Sequence, residues 1–446
     1  NLQYVGQEFE DRLAIFSANL VSIDKHNSAP EGTHTYTQGI TPFTHLTSQE
    51  FAEFVNRGRN TKTKTAAEQA FHDSMPVFDG SVSDSSFGIS ARHLEDNLGA
   101  TETVDWRTIP GVLTPVKNQN ACGSCWTFGA SGALEGAYAL KTSSTAPTET
   151  LFTGLTYNGK TGFFGVSEQQ FVDCDDQMSN GCEGGDPNSA FIWAANNGGV
   201  TSERVYPYTS GNYSSKASPT GNCQAAKVAQ KLDGTAVRLD YPYTNVKPSN
   251  IAALEAAVRQ QPVQIVVQGG PSFPGAPSPL HNYNGGIITL ASGCAQDLDH
   301  SVLLVGYHSD TVDASQNYWI VKNSWSTLWG VEGYYYVAKS QENACGILLE
   351  PSFPNLALPG QVPFTQPPTP APVPSTWPID ATHFKTPVNQ YIGLTDIRNA
   401  PIDTSSAQIV TLGNAPPYKV EQVLPVEATL TINLDSITGS PLTQTC

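Results

Sequence analysis

Gln119-Asn-Ala-Cys-Gly-Ser-Cys-Trp-Thr-Phe-Gly-Ala-Ser131 decides how the chain is read. A turn of small residues runs into a helix and puts Cys125 near its first turn. The positive end of the helix dipole favours a thiolate there. Gly129, Ala130, Gly132, Ala133, Gly136 and Ala137 follow, so this helix can lie close against a neighbour and give the thiol a packed support. Gln119 stands six residues before Cys125 and offers a side-chain amide donor. A nucleophile and a nearby donor are two parts of an acyl-transfer site. The rest of the chain has to supply a base and a group that orients it.

At 446 residues the chain calls for two or three domains. Its formal charge of −17 argues against nucleic acid as a partner. The same charge suits an acidic compartment, and ordinary solubility of a secreted protein explains it equally well. No apolar run is long enough for a membrane span. The chain begins at Asn1 with no signal peptide ahead of it, which reads as a processed form. Eight cysteines suggest an oxidising compartment. Asn212-Tyr-Ser214 is a glycosylation sequon if the protein is secreted.

Residues 1–27 read as an amphipathic helix. Glu8, Arg12, Phe16, Asn19, Ile23 and Asn27 lie along one stripe, with Glu8 able to pair with Arg12 and Phe16 and Ile23 able to bury. Residues 36–46 are strand-like around Phe43, and a short helix follows over 48–57. Residues 58–100 are polar and aperiodic and read as an exposed, cleavable connector. From Val104 the composition turns dense in glycine, aromatics and cysteine. Helices are expected up to about Lys141, over 167–174 and over 250–260. Strands are expected at 262–268, 286–290, 301–307, 317–323 and 333–338. A helical front half and a β-rich back half would enclose a cleft. Residues 356–378 hold eight prolines and read as an extended spacer. Residues 379–446 contain one alternating run, 428–434, and read as a small β-rich module, with a disordered tail as the alternative.

His300 enters one of the expected strands, and Asn323 ends another beside Trp325. An Asn carbonyl can accept the imidazole N–H and fix the ring while the other nitrogen faces the thiol. With Gln119, Cys122-Gly-Ser-Cys-Trp126, Asp299-His300, Asn323-Ser-Trp325, Cys182-Glu-Gly-Gly185 and Val104-Asp-Trp106 in this order, the sequence resembles the papain-like cysteine proteases over residues 101–355. The stripe on residues 8–27 resembles the propeptide signature of the cathepsin L-like branch.

The resemblance implies an α+β, papain-like fold of two subdomains, one helical and one β-barrel-like, preceded by a helical propeptide. It implies an inhibitory propeptide and activation linker over 1–100 and a catalytic domain over 101–355. Cys125 would be the nucleophile, His300 the base, Asn323 its orienter, Trp325 its shield, and Gln119 with the Cys125 N–H the oxyanion hole. The resting state would be a thiolate–imidazolium pair acting at acidic pH. Gly184 and Gly185 would bind substrate backbone. Cys122–Cys182, Cys174–Cys223 and Cys294–Cys345 would be bridged, leaving Cys446 over. Val266, Pro187 and Ser301 would wall the S2 pocket, Asp186 would stand at its rim and Glu350 at its base, admitting basic as well as hydrophobic P2 residues. The implied partners are peptide substrates, the chain's own propeptide and cystatin-like inhibitors, in a secreted or lysosomal/vacuolar setting, with no metal and no cofactor.

The sequence departs from the family in places. His300 follows Cys125 by 175 residues, against about 130–150 in the family. The excess falls in loops, among them 269–284. Ser326 and Leu328 stand where the family prefers glycine. In the second propeptide motif Gly39 and Phe43 match, but Thr41 and His45 replace Asn and Asp, which raises the hypothesis that His45 protonation loosens the propeptide. Cys446 suggests a domain cut before its partner cysteine. Three rival readings are weaker. A C-x-x-C redox motif at Cys122–Cys125 lacks a thioredoxin-like setting, zinc lacks a second cysteine pair at ligand spacing, and an inactive binding homologue would have little reason to keep every catalytic residue type.

Overall fold

The computed structural model describes residues 4–56, 64–81, 101–142, 156–157, 160–161, 165–175, 178–211, 222–232, 235–273, 276–357, 418–421 and 442–445. Asn212, most of the proline-rich stretch, the alternating run at 428–434 and Cys446 lie outside these residues.

The N-terminal part contains helix α1 (Gln7–Asn27), strand β1 (Tyr36–Gln38), helices α2 (Ser48–Asn56) and α3 (Ala66–Asp73), and strand β2 (Val77–Phe78). Helix α1 buries Phe9, Phe16 and Ile23. Its polar stripe grips the following segment. Arg12 pairs with Glu50 at 2.7 Å, and Asn19 Nδ2 donates to the carbonyls of Thr44 and Leu46. Asn27 bonds Gln38 through both its amide and its carbonyl. The pairing of Arg12 with Glu8 that the spacing suggests gives way to this longer-range one, because Glu50 sits half-buried where a bidentate pair can form.

Residues 64–81 are not the exposed connector that their polarity suggests. Thr65 and Glu68 form a capping box that starts α3, and β2 adds to the main sheet. The anchoring side chains His72, Met75 and Phe78 are all buried.

The second part begins with β3 (Thr101–Asp105) and the long helix α4 (Cys125–Thr142), followed by a small hairpin of β4 (Thr156–Tyr157) and β5 (Lys160–Thr161). Helices α5 (Glu168–Cys174), α6 (Pro187–Asn196) and α7 (Ala225–Val228) complete the helical half. Then come β6 (Tyr243–Val246), α8 (Ile251–Gln260), β7 (Val263–Val267), β8 (Tyr283–Ile288), β9 (His300–Asp310), β10 (Tyr318–Lys322), β11 (Tyr334–Ala338) and β12 (Ser352–Pro354). The ten-stranded sheet runs β1-β8-β11-β10-β9-β7-β12-β6-β2, with β3 also on β9. A separate parallel pair joins β13 (Tyr418–Glu421) to β14 (Leu442–Thr445). One apolar core lies in the strand-rich half, among Leu254, Ile265, Leu304, Trp319 and Val337. The other packs Trp126, Ala130, Phe171, Phe191 and Val200 in the helical half.

Helix α4 joins the two cores because of its glycines. A Cβ on Gly129 would stand 2.3 Å from Ser301 Oγ, one on Gly132 2.9 Å from Leu303, and one on Gly136 2.6 Å from Pro262. Only glycine allows so close an approach to β9 and to the start of β7. That approach sets Cys125, the first residue of α4, beside the first residues of β9.

Candidate active site

Cys125 is the one cysteine among the described residues that takes part in no disulfide, and it is buried. The other six described cysteines pair as Cys122–Cys182, Cys174–Cys223 and Cys294–Cys345. The bridge at Cys122 ties the turn before α4 to the loop that carries Gly184 and Gly185.

His300 opens β9 in register with Val267 of β7. Its Nε2 lies 2.8 Å from Asn323 Oδ1, which also accepts the Ser324 N–H at 2.8 Å. With two donors on one oxygen, the amide is held carbonyl-inward, so Nε2 carries the proton and Nδ1 faces the other way. The Trp325 ring stacks on the imidazole at 4.7 Å between centroids. Gln119 is fixed by Ser324, whose hydroxyl donates to its Oε1 at 2.6 Å, while Gln119 Nε2 donates to the Cys122 carbonyl at 3.1 Å. Ser324, a side chain the motifs did not single out, thus connects the Asn323 and Gln119 segments. Ser326 holds φ at 71°, in the region that favours glycine, and its N–H donates to the Lys117 carbonyl.

Burial sets the charge state. It pushes the Cys125 thiol from its ordinary 9 up to about 12, against a smaller opposing effect of the Ser301 backbone, while Asp299 adds to the rise. That is about 4 kcal/mol against the thiolate, more than the ~2 kcal/mol a helix terminus supplies at best. Burial likewise lowers His300 to about 4, with Asn323 opposing. In this covered state burial therefore works against both members of the thiolate–imidazolium pair that the sequence leads one to expect.

The N-terminal part provides the cover. Phe43, Phe51 and Phe54 meet the Trp325 ring at centroid distances of 5.1, 5.7 and 5.7 Å. A Cβ on Gly269 would fall between Val55 and the His300 ring. His281 stacks on Phe51 and bonds the Phe43 carbonyl through Nε2 at 2.9 Å. Thr41 Oγ1 donates to the His281 carbonyl, and the Gly39 N–H to that of Asn282.

The expected substrate pocket is spread around Asp186, whose carboxylate caps α6 at Asn188 N–H and pairs with Lys64 at 2.7 Å. Pro187 is the first residue of α6, and Val266 lies opposite Ser301 in the β7–β9 ladder. Glu350 stands at the surface next to these groups. Crowding by protein raises its carboxyl, Asp186 adds to the rise and Lys64 opposes it. Gly185 has a packing reason of its own, since a Cβ there would come within 2.6 Å of the Trp126 ring. A buried charge cluster behind α4 has no signature in the sequence. Lys117 bonds Glu135 at 2.8 Å and Glu168 at 2.5 Å. Burial alone would discharge Lys117, but Glu135, Glu168 and Glu203 outweigh it.

Comparison with known proteins decides the family. The profile of the papain family cysteine proteases matches residues 100–355, and that of the cathepsin propeptide inhibitor domain matches residues 1–51. The chain belongs to the papain family of cysteine proteases. Rat procathepsin L is 33% identical over 354 residues, covering 79% of this chain and 87% of the relative. Human cathepsin L2 is 32% identical over 79% of this chain and 88% of its own. Among solved structures, digestive procathepsin L 3 of the Tenebrio molitor larval midgut superposes with a TM-score of 0.57 at 29% identity, covering 80% of this chain and 95% of that one. The papain-type protein described here is thus a cysteine protease zymogen that carries its inhibitor domain in the same chain. Among the described residues no helix is long and apolar enough to cross a membrane.

Proposed function

We propose that this protease hydrolyses peptide bonds with Cys125 as nucleophile, His300 as general base and then acid, Asn323 as orienter, and Gln119 with the Cys125 N–H as the oxyanion hole. The observation that carries the reading is the His300–Asn323 hydrogen bond stacked under Trp325, next to a helix-start cysteine that is kept out of the disulfides. Removing the N-terminal part returns water to Cys125 and His300. It removes the burial that disfavours their charged forms, so proton transfer from thiol to imidazole becomes easier. Gln119 then turns its Nε2 from the Cys122 carbonyl toward the developing oxyanion. The segment up to about residue 100 acts as the inhibitory propeptide, with 101–355 as the catalytic unit and 356–378 as a spacer to the C-terminal extension. Three disulfides support a route through an oxidising secretory compartment, lysosomal, vacuolar or extracellular. Cystatin-like inhibitors would enter the vacated cleft.

An epoxide inhibitor of thiol proteases tests the assignment. Labelling at Cys125, read by peptide mass mapping, is expected after acidification and not before it. A label on another residue, or equal labelling before and after, would refute the assignment.

Gly184, Gly185, Pro187, Val266 and Ser301 line the non-primed side, and Glu350 with Asp186 gives it negative charge. Basic P2 side chains are therefore accepted beside hydrophobic ones. Glu350→Ala is expected to lower kcat/KM about tenfold for P2-Arg peptides, with P2-Leu peptides little changed. Equal losses on both substrates would remove the role given to Glu350.

A further inference from the structure

Residues 71–80 hold the protease domain by contacts separate from the aromatic cluster over Trp325. Strand β2 is the outermost strand of the sheet and runs parallel to β6. The N–H of Asn245 donates to the Pro76 carbonyl and that of Lys247 to the Phe78 carbonyl, both at 2.9 Å. Without β2, these donors face an open sheet edge.

Two apolar sockets flank that edge. Met75 is 4% exposed and belongs to the core of the helical half, with Trp106 and Val112. Phe78 is 5% exposed and belongs to the other core, its ring edge-on to Phe353 at 6.1 Å. The segment therefore inserts one side chain into each half. Gly80 then carries the backbone across α8 with φ at 91°, where a Cβ would come 3.1 Å from Ala253 Cα. On the upstream side His72 Nδ1 bonds the Tyr243 hydroxyl, and Nε2 lies 3.4 Å from Met178 Sδ.

We propose that, in the mature protease, the β6 edge with its two sockets is a second polypeptide-binding site apart from the catalytic cleft, and that its cognate ligand is the chain's own segment 65–81 bound in trans. The proposal rests on the reading that residues 1–100 are released. The site takes an extended strand parallel to β6, with large apolar side chains three residues apart and a glycine two further on, as Met75, Phe78 and Gly80 are spaced. Main-chain bonds to the edge supply affinity and the sockets supply selectivity. Leaving both sockets empty would expose two core-lining apolar surfaces to water, which favours refilling them.

The test uses enzyme matured by acidification of the full chain, in two forms. In one, Cys125 is capped with iodoacetamide, and in the other the cleft is filled by a bulky peptidyl epoxide. Each is titrated with a fluorescent peptide of residues 65–81, which keeps the helix cap and omits Lys64. Saturable binding with one peptide per enzyme and equal affinity for both forms is expected. The peptide carrying Met75→Ala and Phe78→Ala should bind about 100-fold more weakly. Absence of binding, loss of binding on the epoxide-filled form, or equal binding of a scrambled peptide would overturn the proposal. So would an active enzyme that keeps residues 1–100, because β6 would then never open. Hydrolysis of a fluorogenic peptide by the uncapped preparation reports separately on the protease reading.

Discussion

Replacing Cys125 with serine is expected to give a folded chain that keeps its N-terminal 100 residues after acidification and hydrolyses peptides at least ~10⁴-fold more slowly than the parent. The substitution exchanges sulphur for oxygen with little change of volume, at a site that is buried in the zymogen. It should not disturb the packing of α4 on β9, which depends on Gly129 and Gly132, or on Pro262, which depends on Gly136. What it removes is acidity. A thiol near the start of α4 yields its proton to His300 once the site is wet, whereas a hydroxyl stays protonated in the resting state and depends on general-base removal of its proton during attack. Burial disfavours the charged form of both Cys125 and His300 in the covered state, so uncovering promotes the competent ion pair. A variant unable to form the ion pair therefore cannot begin the process on itself. Thermal unfolding of the zymogen should be unchanged within about 1 kcal/mol. Electrophoresis after acidification, with a fluorogenic peptide assay, reads the outcome. Shedding of the N-terminal segment by pure variant at the parental rate would show that Cys125 is not the group that starts it.

How much of this was legible in the chain depends on how local the cause is. The close packing of α4 could be read because glycine and alanine recur within one helix, and it needs only the strand it meets. The β9, β10 and β11 strands could be read from continuous apolar runs bounded by turns. Segment 64–81 could not. Its helix is short, and its three anchors, His72, Met75 and Phe78, show no period. Each is buried by a different remote surface, respectively Tyr243 with Met178, the helical core and Phe353. Nothing within such a stretch distinguishes a docked strand from a linker. The burial of the site is hidden from the sequence for a related reason. The sequence places Cys125 at a helix start but does not show Val55 close to His300, or Phe51 and Phe54 against Trp325. The site chemistry could be inferred from residue types, whereas the cover over His300 and Trp325 follows from a contact between segments more than 200 residues apart.

Acidification from pH 6.5 to 4.5 is expected to weaken the hold of the N-terminal segment by roughly 50-fold for His45 and roughly 40-fold for His281. Both rings are buried at the contact between the segment and the protease domain. Burial lowers His45 to about 3, and Arg12 lowers it further while Glu50 opposes. Burial lowers His281 to about 4, with the Phe43 carbonyl and Glu50 opposing. The sign follows from linkage. A histidine whose bound pKa lies below its free value favours binding fully above the free value near 6.5, and that contribution falls as pH drops toward the bound value. The loss rises from about half to nearly all of 1.4 kcal/mol per pH unit as the free ring fills, so it comes to about 2 kcal/mol for each ring over the two units. The neighbouring Arg12–Glu50 pair does not supply this slope. Burial would raise Glu50, but Arg12 holds it below its ordinary range, so the pair stays ionised through the same window. Inhibition of the mature enzyme by an added segment of residues 1–81, measured from pH 6.5 to 4.5, reads the effect. His45→Asn and His281→Asn should each flatten the pH dependence by about one proton, and the double variant by about two. A smaller slope should persist from His72, which burial also lowers and which sits on the same segment. If the double variant kept the parental slope, acid release would have to act through other groups, and the histidines under Phe43 and Phe51 would be packing residues only.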